Sequence, residues 1–329
     1  MRTDPSGLCG PTPKQARGRA WRRTSRGFYV PAEVPVSPQQ RVLEAAAVLP
    51  ADGAITGWAA LAWQRVRWVD GCDTDGSELP VTILTPGSQA RAQAGIEVSK
   101  ERLLPRTRQI LDGVMLTDPH RSTAFEVRRA ATPLSAVRWL DLVAASDLIS
   151  LTEMAAYAET LSGWTGIDHL RWAIALADEN VWSPPETDLR LTFRVRMGIA
   201  GVVSNRPVFD LDGRHIGTPD ILDLERGVVA EYDGALHLAG KQRAKDLRRE
   251  GAFRRVGLEY VTMVAADRRD PTDFIRRARE ARARARRTPV ADREWTIDPP
   301  GWWTPTHTVE LRRALTDGQR GRYLRPRAA

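Results

Sequence analysis

Cysteine is almost missing: 329 residues contain two, Cys9 and Cys72. A pair of thiols builds neither a disulfide framework nor a cysteine-ligated metal centre, and a count this low suits a reducing compartment. Long apolar runs are missing too. None approaches the ~20 residues that span a bilayer. The first residues carry arginines but no hydrophobic stretch, so no signal peptide is expected. No segment repeats. These absences lead to the expectation of a cytoplasmic chain without a membrane partner. What is abundant is charge: 49 Lys and Arg against 41 Asp and Glu, a formal net charge of +8 and a pI near 10.0. A polyanion such as DNA, an acidic protein partner or plain solubility would each account for that balance.

The length allows two compact domains with tails, and the composition shifts along it. Residues 1–38 form a basic arm with Trp21, Phe28 and Tyr29 among arginines, of which Arg22 and Arg23 are candidate nucleic-acid contacts. Residues 39–118 read as a small α+β module: a helix stopped by Pro50, a second over "AITGWAALAWQRV" capped by Thr56, then strands at "LPVTIL", "GIEVSKERL" and "GVMLTD". From Pro119 to residue 182 four stretches place apolar residues at three- and four-residue spacing, a helical region. Residues 183–287 alternate: a punctuated helix "SPPETDLRLTFRVRMG", strands "PVFDL" and "RHIGTPDILDL" about an Asp212-Gly213 turn, the strand "GVVAEYDG", a basic helix, the strand "LEYVTMVA", and a last basic helix. The predicted order is α-β-β-β-α-β-α. Residues 288–329 are rich in Trp, Pro and Arg and predict a loosely packed tail docked through its tryptophans.

The stretch "GTPDILDLERGVVAEYDGALH" carries the chemistry. Asp220, Glu231 and Asp233 stand where a buried strand would carry valine or leucine. Residues two apart on a strand share a face, so Glu231 and Asp233 point the same way, and Asp220 on the neighbouring strand can reach the same spot. Buried carboxylates repel and lose hydration, at several kcal/mol per uncompensated ion. Protonation of one acid or a divalent cation relieves this. Hard oxygen ligands favour Mg²⁺, Mn²⁺ or Ca²⁺ over zinc. In a basic protein such a site suggests phosphodiester hydrolysis, with the metal activating water.

"TPDILDLERGVVAEYDGALH" followed by "RAKDLRREGAFRRVGLEYV" resembles the very-short-patch-repair-like subgroup of the PD-(D/E)xK restriction-endonuclease-like superfamily. The resemblance covers about residues 183–287. It implies a restriction-endonuclease-like α/β domain, a Mg²⁺-dependent endonuclease acting on DNA, and Asp220 and Glu231 as metal ligands. Glu186 is similar to the helix acid that joins such a site. The superfamily usually has Lys two residues after the Glu; here Asp233 stands there, so Lys245 is a candidate replacement and His237 a candidate proton shuttle. Arg243, Arg248 and Arg249 would meet phosphate, and Asp246 would brace the site. Residues 39–182, with "AITGWAALAWQRV" and "GVMLTDPHRSTAFEVRRA", resemble actinobacterial proteins related to type IV abortive-infection antitoxins. That resemblance implies a winged helix to which residues 1–38 would contribute.

Plainer roles stand beside these. Asp220 after Pro219 suits a turn, and Asp233-Gly234 a strand end. Glu186 with Ser183 fits a capping box. Asp246 with Arg249 fits a surface helix pair. The arginines from Arg276 to Arg287 fall on every face of their helix, as a solvated helix would have them. Three functions follow: a metal-dependent endonuclease, a DNA-binding regulator of antitoxin type on a fold that no longer cuts, or a basic scaffold for a protein.

Overall fold

The computed structural model describes residues 1–73, 76–88, 90–234, 241–285 and 287–324, without the side chains of 241–246. The chain is mixed α/β and divides into two compact units. One comprises Met1–Ala131 and Met154–Trp172, the other Thr132–Glu153 and Ala173–Ala329.

The first unit opens with the antiparallel hairpin β1 (Trp21–Ser25) and β2 (Phe28–Pro31). Helix α1 (Pro38–Ala46) starts at Ser37, whose side chain accepts from Gln40 N. Then follow β3 (Ala54–Thr56), α2 (Gly57–Trp63), β4 (Val81–Leu84), β5 (Ile96–Ser99), β6 (Arg108–Leu111), β7 (Val114–Thr117) and α3 (Pro119–Arg129). The strands order as β5-β4-β3-β7-β6. Ile55, Ile83, Leu84 and Leu116 are buried, as are Leu61 and Phe125 on the helices. β3 and β6 were not expected: three residues show no alternation, and "RQIL" is half polar. The β6–β7 turn puts Asp112 and Gly113 at φ of 47° and 78°, the left-handed pair that a tight hairpin needs. Thr56 does not cap α2 through its side chain. Instead Glu126 of α3 accepts from Trp58 N at 2.6 Å.

Helices α4 (Pro133–Ala145), α5 (Leu151–Glu159) and α6 (Ile167–Leu176) fall where the periodicity places them. In the second unit α7 (Pro184–Leu191) runs on through a π-turn over Thr192–Arg196 and stops at Gly198, φ +70°. After it come β8 (Val202–Ser204), β9 (Val208–Asp210), β10 (His215–Gly217), β11 (Ile221–Asp223), β12 (Val228–Asp233), α8 (Lys241–Arg255), β13 (Glu259–Val264), α9 (Thr272–Arg284), β14 (Trp295–Thr296), α10 (Val309–Arg313) and α11 (Asp317–Tyr323). The main sheet is β13-β12-β11-β8, with β12 and β13 parallel and the other pairs antiparallel. A side sheet pairs β10-β9-β14.

Two expectations change here. "PVFDL" is β9 of the side sheet, not the first strand of the main one, whose first strand is the unexpected β8. "RHIGTPDILDL" is two strands, separated at Thr218-Pro219; a proline has no N–H for the ladder. The Asp212-Gly213 turn does join β9 to β10, with Gly213 at φ +77°.

Alternation along β12 gives the main sheet two apolar faces. Val228 and Ala230 pack with Leu189 and Phe193 of the α7 segment and with Phe274 and Ala278 of α9. Val229 packs with Leu222, Phe253 of α8 and Trp295. The C-terminal segment docks through Trp295, as expected of its tryptophans, and also through a buried arginine that the sequence did not single out. Trp295 is a strand residue, and Arg312, fully buried, donates to Asp147 Oδ1 and to Ala144 O. α9 is less solvated than its sequence suggests, since Arg282 pairs with buried Asp223 at 2.6 Å and Arg277 with Asp267 at 2.7 Å. Among the described residues no helix is long and apolar enough to cross a membrane.

Candidate functional site

β11 and β12 are joined by a tight turn, and their register pairs Ile221 with Ala230 and Leu222 with Val229. One step further along the same register sets Asp220 opposite Glu231. Directly opposed residues of an antiparallel pair share a face, and that face is the one covered by α8. The ladder to β8 pairs Ile221 with Ser204, and Asn205 N donates to Asp220 O at 3.0 Å. Asp220 thus sits between Asn205 and Glu231 at the end of three strands. Burial falls towards the strand end: Glu231 is 4% exposed, Asp220 half-buried, and Asp233 exposed.

Asp220 Oδ2 accepts from Tyr232 N at 2.7 Å. Its pKa is nevertheless pushed up to about 8, first by burial and then by the negative charges of Glu186 and Glu231; the Tyr232 N–H and Arg249 oppose the rise. Asp220 therefore shares one electrostatic environment with both glutamates. Glu231 Oε2 accepts from Arg249 of α8 and from the Tyr260 hydroxyl of β13. Burial and the Glu231 carboxylate together push the Tyr260 hydroxyl well above the usual phenol range.

Glu186 is held by the chain that begins α7. Its Oε2 accepts from Trp182 N at 2.8 Å and from Asn205 Nδ2 at 2.6 Å, and its Oε1 accepts from the Ser183 hydroxyl at 2.8 Å. Ser183 caps no backbone N–H with its side chain. The expected capping box is thus half realised: Glu186 reaches back to the main chain, and Ser183 spends its hydroxyl on Glu186. Asn205, at a left-handed φ of 47°, also donates to Asn180 O at 2.8 Å, while Asn180 Nδ2 donates to Ser204 O and Asn205 O. Below this, buried Asp141 of α4 accepts from Arg190 Nη2 at 2.7 Å and Thr187 Oγ1 at 2.8 Å. These bonds fix the start of α7 against the end of β8, and so fix Glu186 beside Asp220.

The site therefore brings together Asp220, Glu231, Glu186 and Arg249. His237 lies outside the described residues, as do the side chains of Arg243, Lys245 and Asp246. Arg248 is exposed on α8. In the first unit Arg22 pairs with Glu44 at 2.7 Å, and Arg23 Nε donates to Ser25 O at 3.2 Å. Sequence reasoning missed Asn205, Asn180 and Tyr260. Asn after a short apolar run suits a left-handed turn, but that signal does not distinguish a site from any other turn.

A divalent cation is tested by the donors present. The elevated Asp220 marks an excess of negative charge that a cation would relieve, and Asp220 with Glu231 supplies hard oxygens from facing strands. Glu186 fits poorly as a third ligand, because both its oxygens already accept hydrogen bonds. Among the described residues no cluster of three or more His, Cys, Asp or Glu is arranged to hold a metal. The fit therefore rests on two carboxylates, Asp220 and Glu231. No family model, curated protein or solved structure matches the chain.

Proposed function

We propose that the second unit is a restriction-endonuclease-like, Mg²⁺- or Mn²⁺-dependent nuclease that hydrolyses phosphodiester bonds in DNA. The observation that carries this reading is the facing pair Asp220 and Glu231, set in one buried acidic cluster where Asp220 is pushed up to about 8. The element order supports it. Taking only the helices and strands of the main sheet, the chain runs α7-β8-β11-β12-α8-β13-α9, the α-β-β-β-α-β-α succession read from the sequence, with β8 in place of "PVFDL" as the first strand.

A bound Mg²⁺ or Mn²⁺ would lower the pKa of a water and offset charge on the phosphate. The protein's own part is positional. Asp220 is aimed by the Tyr232 N–H, Glu231 is oriented by Arg249 and Tyr260, and Glu186 is locked to the α7 start. Arg248 and the basic surface of α8 would meet the phosphates. Asp233, exposed where the superfamily usually has Lys, would face solvent and substrate.

Arg249 favours a second reading. It holds Glu231 in an ion pair, as a fold that binds DNA without cutting would allow, and a regulator of antitoxin type would then be the function. One experiment separates the two. Supercoiled plasmid is incubated with the protein and Mg²⁺ or Mn²⁺, with EDTA as control, beside Asp220→Ala and Glu231→Ala. The nuclease predicts metal-dependent nicking that both variants abolish while DNA binding persists. Absence of cleavage of duplex DNA, single-stranded DNA and RNA by wild type would leave the regulator.

A further inference from the structure

Next to the carboxylates lies a cavity of about 500 Å³, within the ~300–1,000 Å³ range of small-ligand sites. The C-terminal segment closes one side of it. Trp182, Trp303 and Tyr323 contribute aromatic surface, with His215, Arg206 and Arg249 among the polar groups. Trp303 is fixed from behind: its ring lies 5.2 Å from Phe209, edge-on, and 4.9 Å from His215. The cavity shares residues with the acidic cluster. Arg249 lines it and pairs with Glu231; Asn205 lines it and donates to Glu186. Thr218, two residues before Asp220, is also on its wall.

Arg206 indicates the ligand's charge. Its buried Nε meets no hydrogen-bond acceptor among the described residues. Burial lowers its pKa although Asp298 and Asp178 act the other way. A cation under-compensated in a cavity wall is suited to an anion. Tryptophan and tyrosine faces suit a planar π-system. A nucleoside phosphate joins both chemistries in one ligand.

We propose that this cavity receives one unstacked base of a DNA strand, with a neighbouring phosphate on Arg206, while the backbone crosses at Asp220 and Glu231. The proposal rests on the nuclease reading for the strand's path, but the cavity's chemistry is independent of cleavage. Stacking of a base on an aromatic side chain is worth roughly 1–3 kcal/mol, about 5- to 150-fold in affinity.

The test is binding in EDTA, where no hydrolysis occurs. Three probes are used: a single-stranded oligodeoxynucleotide, an abasic strand with the same number of phosphates, and the four free deoxynucleoside monophosphates. Wild type is expected to prefer the base-bearing strand over the abasic one by about tenfold. Trp303→Ala should erase that preference, and Trp303→Phe should restore most of it. Arg206→Gln should weaken both strands and reduce the salt dependence by about one phosphate contact. It serves as the second variant should Trp303→Ala fail to fold, with circular dichroism as the check. Equal binding of the two strands, or a preference untouched by Trp303→Ala, overturns the proposal. Tight binding of a free monophosphate with no base preference on strands overturns it in favour of a soluble nucleotide. Metal-dependent cutting with no base preference defeats only the cavity, whereas a base preference without cutting defeats only the nuclease.

Discussion

Asp220 is held where its own charge is disfavoured. Its pKa rises from 3.8 to about 8, so between those values the folded protein keeps a proton that the unfolded chain has released. The associated stability is complete below 3.8 and is lost as the pH climbs to about 8. Asp220→Asn removes the titration and retains an oxygen to accept from Tyr232 N. Without divalent ions it is expected to be more stable than wild type at pH 8. The gain should be on the order of 1–3 kcal/mol, discounting the full shift for the solvent that reaches a half-buried group, and should vanish near pH 4. Calorimetric unfolding across that range checks it, and a flat difference would show that burial does not oppose the charge. Asp220 and Glu231 were legible because acids in an apolar run need a reason. Tyr260 was not, because an aromatic in an alternating strand reads as ordinary core.

Some short elements carry much of the architecture, and two of them the sequence hid. β3 and β8 have three residues each, too few for a period to show, and tertiary pairing decides them. The long helices were legible because their apolar stripes repeat over several turns. A prediction follows at α2, which starts on Gly57 at φ +63°. Glu126 accepts from Trp58 N there, and burial raises its pKa from 4.5 to about 7. Its contribution is complete below 4.5 and is lost as the pH rises through about 7. Hydrogen exchange of α2 should therefore speed up between pH 5 and 8, after correction for the intrinsic rate. Glu126→Gln, which keeps the accepting oxygen, should flatten that trend. Gly57→Ala should cost about 1–3 kcal/mol, since its Cβ would stand 2.1 Å from Glu126 Oε1. Unchanged exchange in Gly57→Ala would show that the helix start tolerates a side chain.

For the whole molecule, the sequence suggested modules that succeed one another, ending in a loosely packed tail docked through its tryptophans. The second unit instead takes in Thr132–Glu153 together with the C-terminal segment. Nothing local announces this. Asp141 finds Arg190 49 residues away and Arg312 finds Asp147 165 residues away, and a single sequence offers no trace of such pairings. Removing the segment from Trp295 onward should therefore unfold the second unit rather than shorten it. Arg312→Ala alone should cost about 1–3 kcal/mol, since Ala144 O loses a donor and Asp147, which keeps Arg320, loses one of its two arginines. Urea titration measures both, and a truncated protein with a wild-type midpoint would show that the segment contributes nothing.

The interleaving of Thr132–Glu153 with the first unit's residues also bears on inheritance. The first unit leaves the chain at Ala131 and returns at Met154. A single recombination crossover, wherever it falls between the two, divides one unit or the other. Transfer of either unit without part of the other would need three breakpoints, at 131/132, 153/154 and 172/173, so the two halves of this protein are expected to descend together.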